Sequence, residues 1–295
     1  MASILPINPQ PAKALDSSTM TDARELTAEV SSLPQDIYKN LRATETKKRP
    51  RTDFFERVQK HITLDMRAIA IDWLVQVAEE LDLGPETLHL TVNYMDRYLS
   101  GNNIKCHQLQ LLGATCMLIA SKHEESDFPD VKEFCEKTDD KYSKEAVLEM
   151  EIDVLKHLRF ELTAPTARCF ISELVHVARG TKLMEFLANY ISELSLLEYH
   201  MLRYYPSMIA AASVFLANYM IQPKEHPWSV TLANYSQYQS HELYECVNDL
   251  IRILCRGAVT NLHAIGEKYN ASKYMFVAGF CFSRIPSRYF FNANN

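Results

Sequence analysis

Glycine is scarce in this 295-residue chain: seven residues, under half the usual share of about 7%. Tight hairpins and phosphate-cradling loops are built from glycine, so neither a hairpin-rich sheet nor a G-x-G-x-x-G or P-loop site has much to be made from. Cysteine pairs of metal or redox spacing are missing: there are seven cysteines and no C-x-x-C. That odd number points to free thiols in a reducing compartment rather than a disulfide frame, and no cysteines and histidines stand at zinc spacing. Long apolar runs are missing. The longest, Leu111–Ala120, falls well short of the roughly 20 residues of a membrane span, and the opening MASILPINPQ lacks the basic flank and apolar core of a signal peptide. Positive charge is in deficit: the net charge is −6, which argues against binding nucleic acid through bulk phosphate attraction. Catalytic motifs fail in detail. Asp127-Phe128-Pro129 lacks the glycine of a kinase D-F-G, and His123-Glu124 is not followed by the second histidine of H-E-x-x-H. The expectation is an intracellular, soluble protein with no metal, no cofactor and no chemistry of its own.

What is present is helical periodicity. Residues 1–33, with Pro6, Pro9 and Pro11 and a Ser17-Ser18-Thr19 cluster, read as a flexible tail. Residues 34–63 hold a first helix, about Pro34 to Thr46, with Ile37, Tyr38 and Leu41 on one side, then a connector with a short segment Asp53–Lys60. The basic run Lys47-Lys48-Arg49-Pro50-Arg51 reads either as a nuclear signal or as a solvated connection. From 64 onward the pattern predicts helices over 66–81, 85–100, 107–122, 130–138 and 143–158, a linker at 159–166, and helices over 166–179, 181–203, 206–222, 227–238 and 240–256. Pro85, Pro206 and Pro227 suit first helical turns, and Asp130 and Ser143 suit N-caps.

The two sets of five resemble each other. Offset by 100, IDWLVQVA (71–78) meets ISELVHVA (171–178) with five identities in eight; offset by 96, Asn93-Tyr94-Met95 meets Asn189-Tyr190-Ile191. Offset by 97, the small residues Gly113, Ala114, Cys116 and Ala120 meet Ala210, Ala211, Ser213 and Ala217. Small residues let neighbouring helices approach closely, so 107–122 and 206–222 read as the central helix of each unit. The predicted fold is all-α: a tandem pair of five-helix domains, 64–160 and 161–270, preceded by an N-terminal helix and followed by a C-terminal tail at 271–295.

Charges occur where apolar residues belong. Helix 66–81 has two apolar sides. Ile71, Leu74 and Ala78 line up with Arg67, while Met66, Ile69 and Trp73 lie on another side that is either further core or an exposed docking face. A buried arginine needs an acceptor, and Asp96, at the border of the apolar face of Leu88, Val92, Met95 and Leu99, is its expected partner in a structural clasp. In helix 143–158, Glu151 sits at the centre of the face formed by Val147, Leu148, Val154, Leu155 and Leu158. It reads either as half of a buried ion pair or as a charge that a partner will cover. Lys122 ends an apolar helix, a position where lysine commonly snorkels.

The runs MRAIAIDWLVQVAEE, ETLHLTVNYMDRYLS, LQLLGATCMLIASKHEE and LEMEIDVLKHLRFELTAPT together resemble the cyclin box of A-type cyclins, and YISELSLLEYHMLRYYPSMIAAASVFLA and HPW look most like plant A-type members. The resemblance spans roughly residues 35–285. It implies a tandem cyclin fold and a regulatory subunit, not itself an enzyme, that binds a cyclin-dependent kinase and acts in the cell cycle, in nucleus and cytoplasm. It assigns kinase contact to Lys122 and Glu151, with His123, Glu124 and Phe160 beside them and Ile37, Tyr38 and Leu41 on the N-terminal helix. It also implies a groove for Arg-x-Leu motifs of substrates or inhibitors, formed by Met66, Ile69, Ala70, Trp73, Gln76, Leu109 and Gln110. Three positions depart from the family pattern: Ala70 replaces a leucine, Gln76 an acid that would face the motif's arginine, and His123 the usual aromatic of K-[FY]-E-E. Weakened or altered docking is expected from the first two, and a changed kinase affinity or choice from His123. Two other readings compete, a cyclin-fold transcription factor gripping DNA or peptide and a divergent cyclin with weak kinase binding.

Overall fold

The structure, a computed structural model, describes residues 35–256, 262–281 and 284–291. All regular structure among these residues is helical: α1 (35–44), α2 (Phe54–Arg57), α3 (Leu64–Glu80), α4 (Pro85–Leu99), α5 (Leu109–Glu124), α6 (Val131–Glu136), α7 (Lys144–His157), α8 (Ala167–Val177), α9 (Lys182–Leu197), α10 (Pro206–Ile221), α11 (Val230–Ser236), α12 (Tyr244–Arg256) and α13 (Ala264–Tyr269), with short 3₁₀ turns between. The starts are chemically marked. Hydroxyls of Thr63, Ser143, Thr166, Thr181 and Ser229 accept backbone N–H groups in the first turns of α3, α7, α8, α9 and α11, and Asp130 caps α6. Pro85 and Pro206 open α4 and α10.

Helices α3–α7 and α8–α12 form two five-helix units. In the first, α5 packs against α3, α4, α6 and α7; in the second, α10 packs against α8, α9 and α12. Both central helices are buried along almost their whole length, including Gly113, Ala114, Cys116 and Ala120 in α5 and Ala210, Ala211, Ser213 and Ala217 in α10. A β-carbon at Gly113 would come within 3.3 Å of Leu74, so the missing side chain sets how near α3 can lie. The units meet through α3 against α9 and α4 against α8 and α9.

Four expectations need correction. The predicted helix 181–203 stops at Leu197 and continues as a 3₁₀ turn, because Arg67 takes the Leu196 carbonyl at 2.9 Å that a longer helix would need. The helix expected from Pro227 begins at Val230, where the Ser229 hydroxyl caps it. Beyond 270 the chain packs rather than trailing: Tyr289 and Phe290 are buried, and Phe290 stacks on Phe215 with ring centres 4.8 Å apart. Part of the basic run is engaged, since Arg49 donates to the Leu202 and Tyr204 carbonyls. Residues 1–33 lie outside the described residues. No described helix is long and apolar enough to cross a membrane, and no three described His, Cys, Asp or Glu residues could hold a metal ion.

Candidate functional site

Helix α7 carries a stripe at 147, 151, 154 and 158. Val147, Val154 and Leu158 are buried, and the fourth member is Glu151. Its carboxylate is held by Lys122 at the end of α5, Nζ to Oε1 2.6 Å, with the side chains 13% and 35% exposed respectively. Glu151 therefore has an ion-pair partner, and the pair remains open to solvent on one side. An ion pair this exposed contributes little to stability, about 0–1 kcal/mol. Its geometry is free to be exchanged for contacts with a partner.

Two large apolar side chains on α7 and just after it are exposed. Phe160 is 68% exposed and Ile152 53%. Phe160 is held out by its backbone: Arg159 and Phe160 are consecutive left-handed residues, φ 55° and 57°, locked by Phe160 N–H to the Leu155 carbonyl at 3.0 Å. Left-handed geometry is costly for a side chain this bulky. Ile152 escaped the sequence reading, although its place on the outer face of α7 among Glu149, Asp153 and Lys156 was a signal.

His123 and Glu124 are exposed at the tip of α5 and, with Leu41 of α1, line a groove of about 930 Å³ between α1, α4, α5 and α8. Glu86 also lines it. Burial, with Glu124 adding a like charge, pushes the Glu86 carboxyl up to about 7, against the Thr166 hydroxyl that donates to it at 2.6 Å. Glu125 ties the groove's end together, accepting from Gly84 N–H at 2.8 Å and from the Thr87 hydroxyl.

Tyr38 does not belong to this surface. It is buried against Phe170 and Tyr235, ring centres 5.3 and 4.9 Å away, because α1 docks that side onto the second unit. Ile37, its neighbour, is 48% exposed and turned away from that contact. The anchoring network was missed: Glu45 accepts from the Ser207 N–H and hydroxyl at 3.0 and 2.9 Å, and Arg42 donates to Glu45 and Ser207 at 2.6 Å each.

On α3, Met66 and Ile69 are 39% and 59% exposed, Trp73 is half-buried and Gln76 is exposed. The family resemblance assigns Ala70 and Leu109 to the same groove, but both are buried and belong to the core. Ala70 lies one step from the Arg67–Ile71–Leu74 line, and its methyl group is too short to reach out. Gln110 accepts from Lys141 at 3.3 Å, which brings a cation to this surface.

Arg67 and Asp96 are each 1% exposed and paired through two bonds, Nε to Oδ1 2.7 Å and Nη2 to Oδ2 2.6 Å. The second unit has its own buried carboxylate, unforeseen although it stands in the apolar run ISELSLL. Glu193 of α9 accepts from Lys268 at 3.0 Å and from the Tyr269 hydroxyl at 2.7 Å. Lys268 and Lys273 also reach Glu79 of α3; although burial opposes it, Lys273, Lys268 and the Tyr274 hydroxyl hold the Glu79 carboxyl below the usual range.

Sequence profiles of the cyclin N-terminal and C-terminal domains match residues 36–163 and 165–283. The chain therefore belongs to the cyclin family. Its sequence is that of the plant A-type branch: it is 54% identical over 269 residues to Cyclin-A1-1 of Oryza sativa subsp. japonica, covering 89% of this chain and 53% of the relative. Against Cyclin-A1-1 of Arabidopsis thaliana it is 53% identical over 264 residues, 88% of this chain and 57% of the relative. The chain thus spans about half the length of the curated relatives it matches. In fold it is similar to a viral cyclin from herpesvirus saimiri, TM-score 0.66 at 21% identity over 78% of this chain and 99% of that one.

Proposed function

We propose that this chain is the regulatory subunit of a cyclin-dependent Ser/Thr kinase, acting in cell-cycle progression in nucleus and cytoplasm. The observation that carries the proposal is the Lys122–Glu151 pair, half open to solvent, with Ile152 on the same helix and Phe160 just beyond its end both exposed. A paired lysine and glutamate can each turn to a backbone carbonyl or N–H of an arriving helix, while the apolar neighbours supply buried area. The A-type cyclin relatives support the choice of partner.

The mechanism follows from kinase chemistry. Phosphoryl transfer needs the kinase's β3 lysine and C-helix glutamate paired and its activation loop open. The α5–α7 surface binds the helix-in state in preference to the helix-out state, and that differential affinity shifts the population. The groove beside His123, Glu124 and Leu41 is the place for the activation loop. No catalytic group is contributed by this chain.

Substrate recruitment is the finer part of the proposal. Met66, Ile69 and Trp73 offer an apolar strip to an Arg-x-Leu motif, but Gln76 carries no charge for the arginine, and Lys141 beside Gln110 opposes it. Docking through this strip is therefore weak.

The test is reconstitution with a plant cyclin-dependent kinase and a histone-phosphorylation assay. Wild type binds and activates; Lys122→Ala with Glu151→Ala loses both while keeping its melting temperature. Full activation by the double variant removes the surface from the account.

A further inference from the structure

Far from the α5–α7 surface, the 3₁₀ turn after α9 and the exposed side of α12 enclose a concavity of about 310 Å³ lined by His200, Arg203, Asp249, Arg252, Ile253 and Arg256. Three guanidiniums converge here in a chain whose net charge is −6. The only carboxylate in the lining, Asp249, is 3% exposed and lies behind them. It accepts from Arg203, from Arg252 Nη1 at 2.6 Å and from the Tyr204 hydroxyl at 2.8 Å. Arg203 and Arg252 each thereby spend one nitrogen on the anchor and keep others for solvent, the side chains being 53% and 71% exposed, while Arg256 lines the concavity beside them. His200 stands at the edge, Nδ1 3.3 Å from Glu198.

The geometry points to a docking site for a phosphorylated serine or threonine on another protein's chain. Anchored guanidiniums are already ordered, so little side-chain entropy is lost on binding, and their planar forks match the oxygens of a phosphate. Charge selects among anions. Three arginines less Asp249 leave an excess of two positive charges, which a phosphoryl side chain of about −1.5 to −2 neutralises and a single carboxylate does not. A nucleic acid needs a row of cations along its backbone and is repelled by the rest of an acidic chain. The site lies on the second unit, on elements that contribute nothing to the Lys122–Glu151 surface, so a bound kinase and a phosphorylated segment occupy different faces.

The test uses this chain alone and stands apart from the kinase proposal. A fluorescent peptide with one phosphoserine among neutral residues is titrated against the protein by anisotropy. Its unphosphorylated form, a form with glutamate in place of the phosphoserine, and a single-stranded oligonucleotide are titrated in parallel, with inorganic phosphate as competitor. The phosphopeptide binds about tenfold or more tighter than either other peptide, about 1.4 kcal/mol. Arg252→Gln with Arg256→Gln abolishes the preference at unchanged melting temperature, and Arg256→Lys retains part of it. Equal affinity for all three peptides, equal binding by the double variant, tighter binding of the oligonucleotide, or inorganic phosphate binding as tightly as the phosphopeptide would each overturn the assignment.

Discussion

Arg67 shows what a single buried charge can hold together. Each of its three nitrogens donates: Nε and Nη2 to Asp96, Nη1 to the Leu196 carbonyl of α9. One side chain therefore fastens α3 to α4 and the first unit to the second. Removing one member of such a pair strands the other charge, at a cost of about 3–5 kcal/mol. Arg67→Met should lower the unfolding free energy by that order in urea titration, and pairing it with Asp96→Leu should recover much of the loss. A cost below about 1 kcal/mol for the single variant would contradict the clasp. Glu86 is one residue whose protonation the fold controls. Its carboxyl titrates near 7 in the folded chain against the 4.5 of an ordinary glutamate, because burial opposes its charge. The folded state then holds the proton more tightly than the unfolded chain. Stability contributed by this group is present at low pH and is lost as pH rises from about 4.5 through 7. Wild type should lose about 2 kcal/mol relative to Glu86→Gln between pH 5 and 8, discounted from the full shift for partial exposure. Parallel pH–stability curves for the two proteins would refute the shift.

At the scale of the element, helices with marked ends were legible from sequence and those with distant partners were not. Pro85, Pro206, Asp130 and Ser143 fixed starts because capping is local chemistry. The break of α9 at Leu197 depends on an arginine about 130 residues away in the chain, and nothing in the sequence near 197 announces it. Tyr38 looked like a contact residue because an amphipathic helix shows an apolar side without showing what covers it; the cover is Phe170 and Tyr235. Ala70 and Leu109 went wrong for the related reason that a motif carries positions and not exposures. The α3 strip follows from these facts. Its exposed members are Met66 and Ile69, and it lacks an acid. An Arg-x-Leu peptide should bind Gln76→Glu more tightly than wild type in calorimetric titration, by about two- to fivefold, the contribution of one exposed charge pair. Equal affinities would show that the strip is not the peptide's seat.

For the whole molecule, the internal repeat was the strongest signal in the sequence, since small residues at one offset foretold both central helices. What repetition could not foretell is how the copies are joined. The joint uses Arg67 on α9 and Lys268 held between Glu79 of α3 and Glu193 of α9, all of them contacts between residues far apart in the chain. Such a joint fastens the two units to each other at several separate points. The proposed surface is set by the Lys122–Glu151 pair and by the Phe160 side chain held out by a left-handed backbone. The most direct measurement is the affinity of a purified cyclin-dependent kinase for wild type and for Lys122→Ala with Glu151→Ala, by calorimetry at fixed ionic strength. The account predicts a loss of about tenfold or more with both proteins equally stable. Unchanged affinity would contradict it.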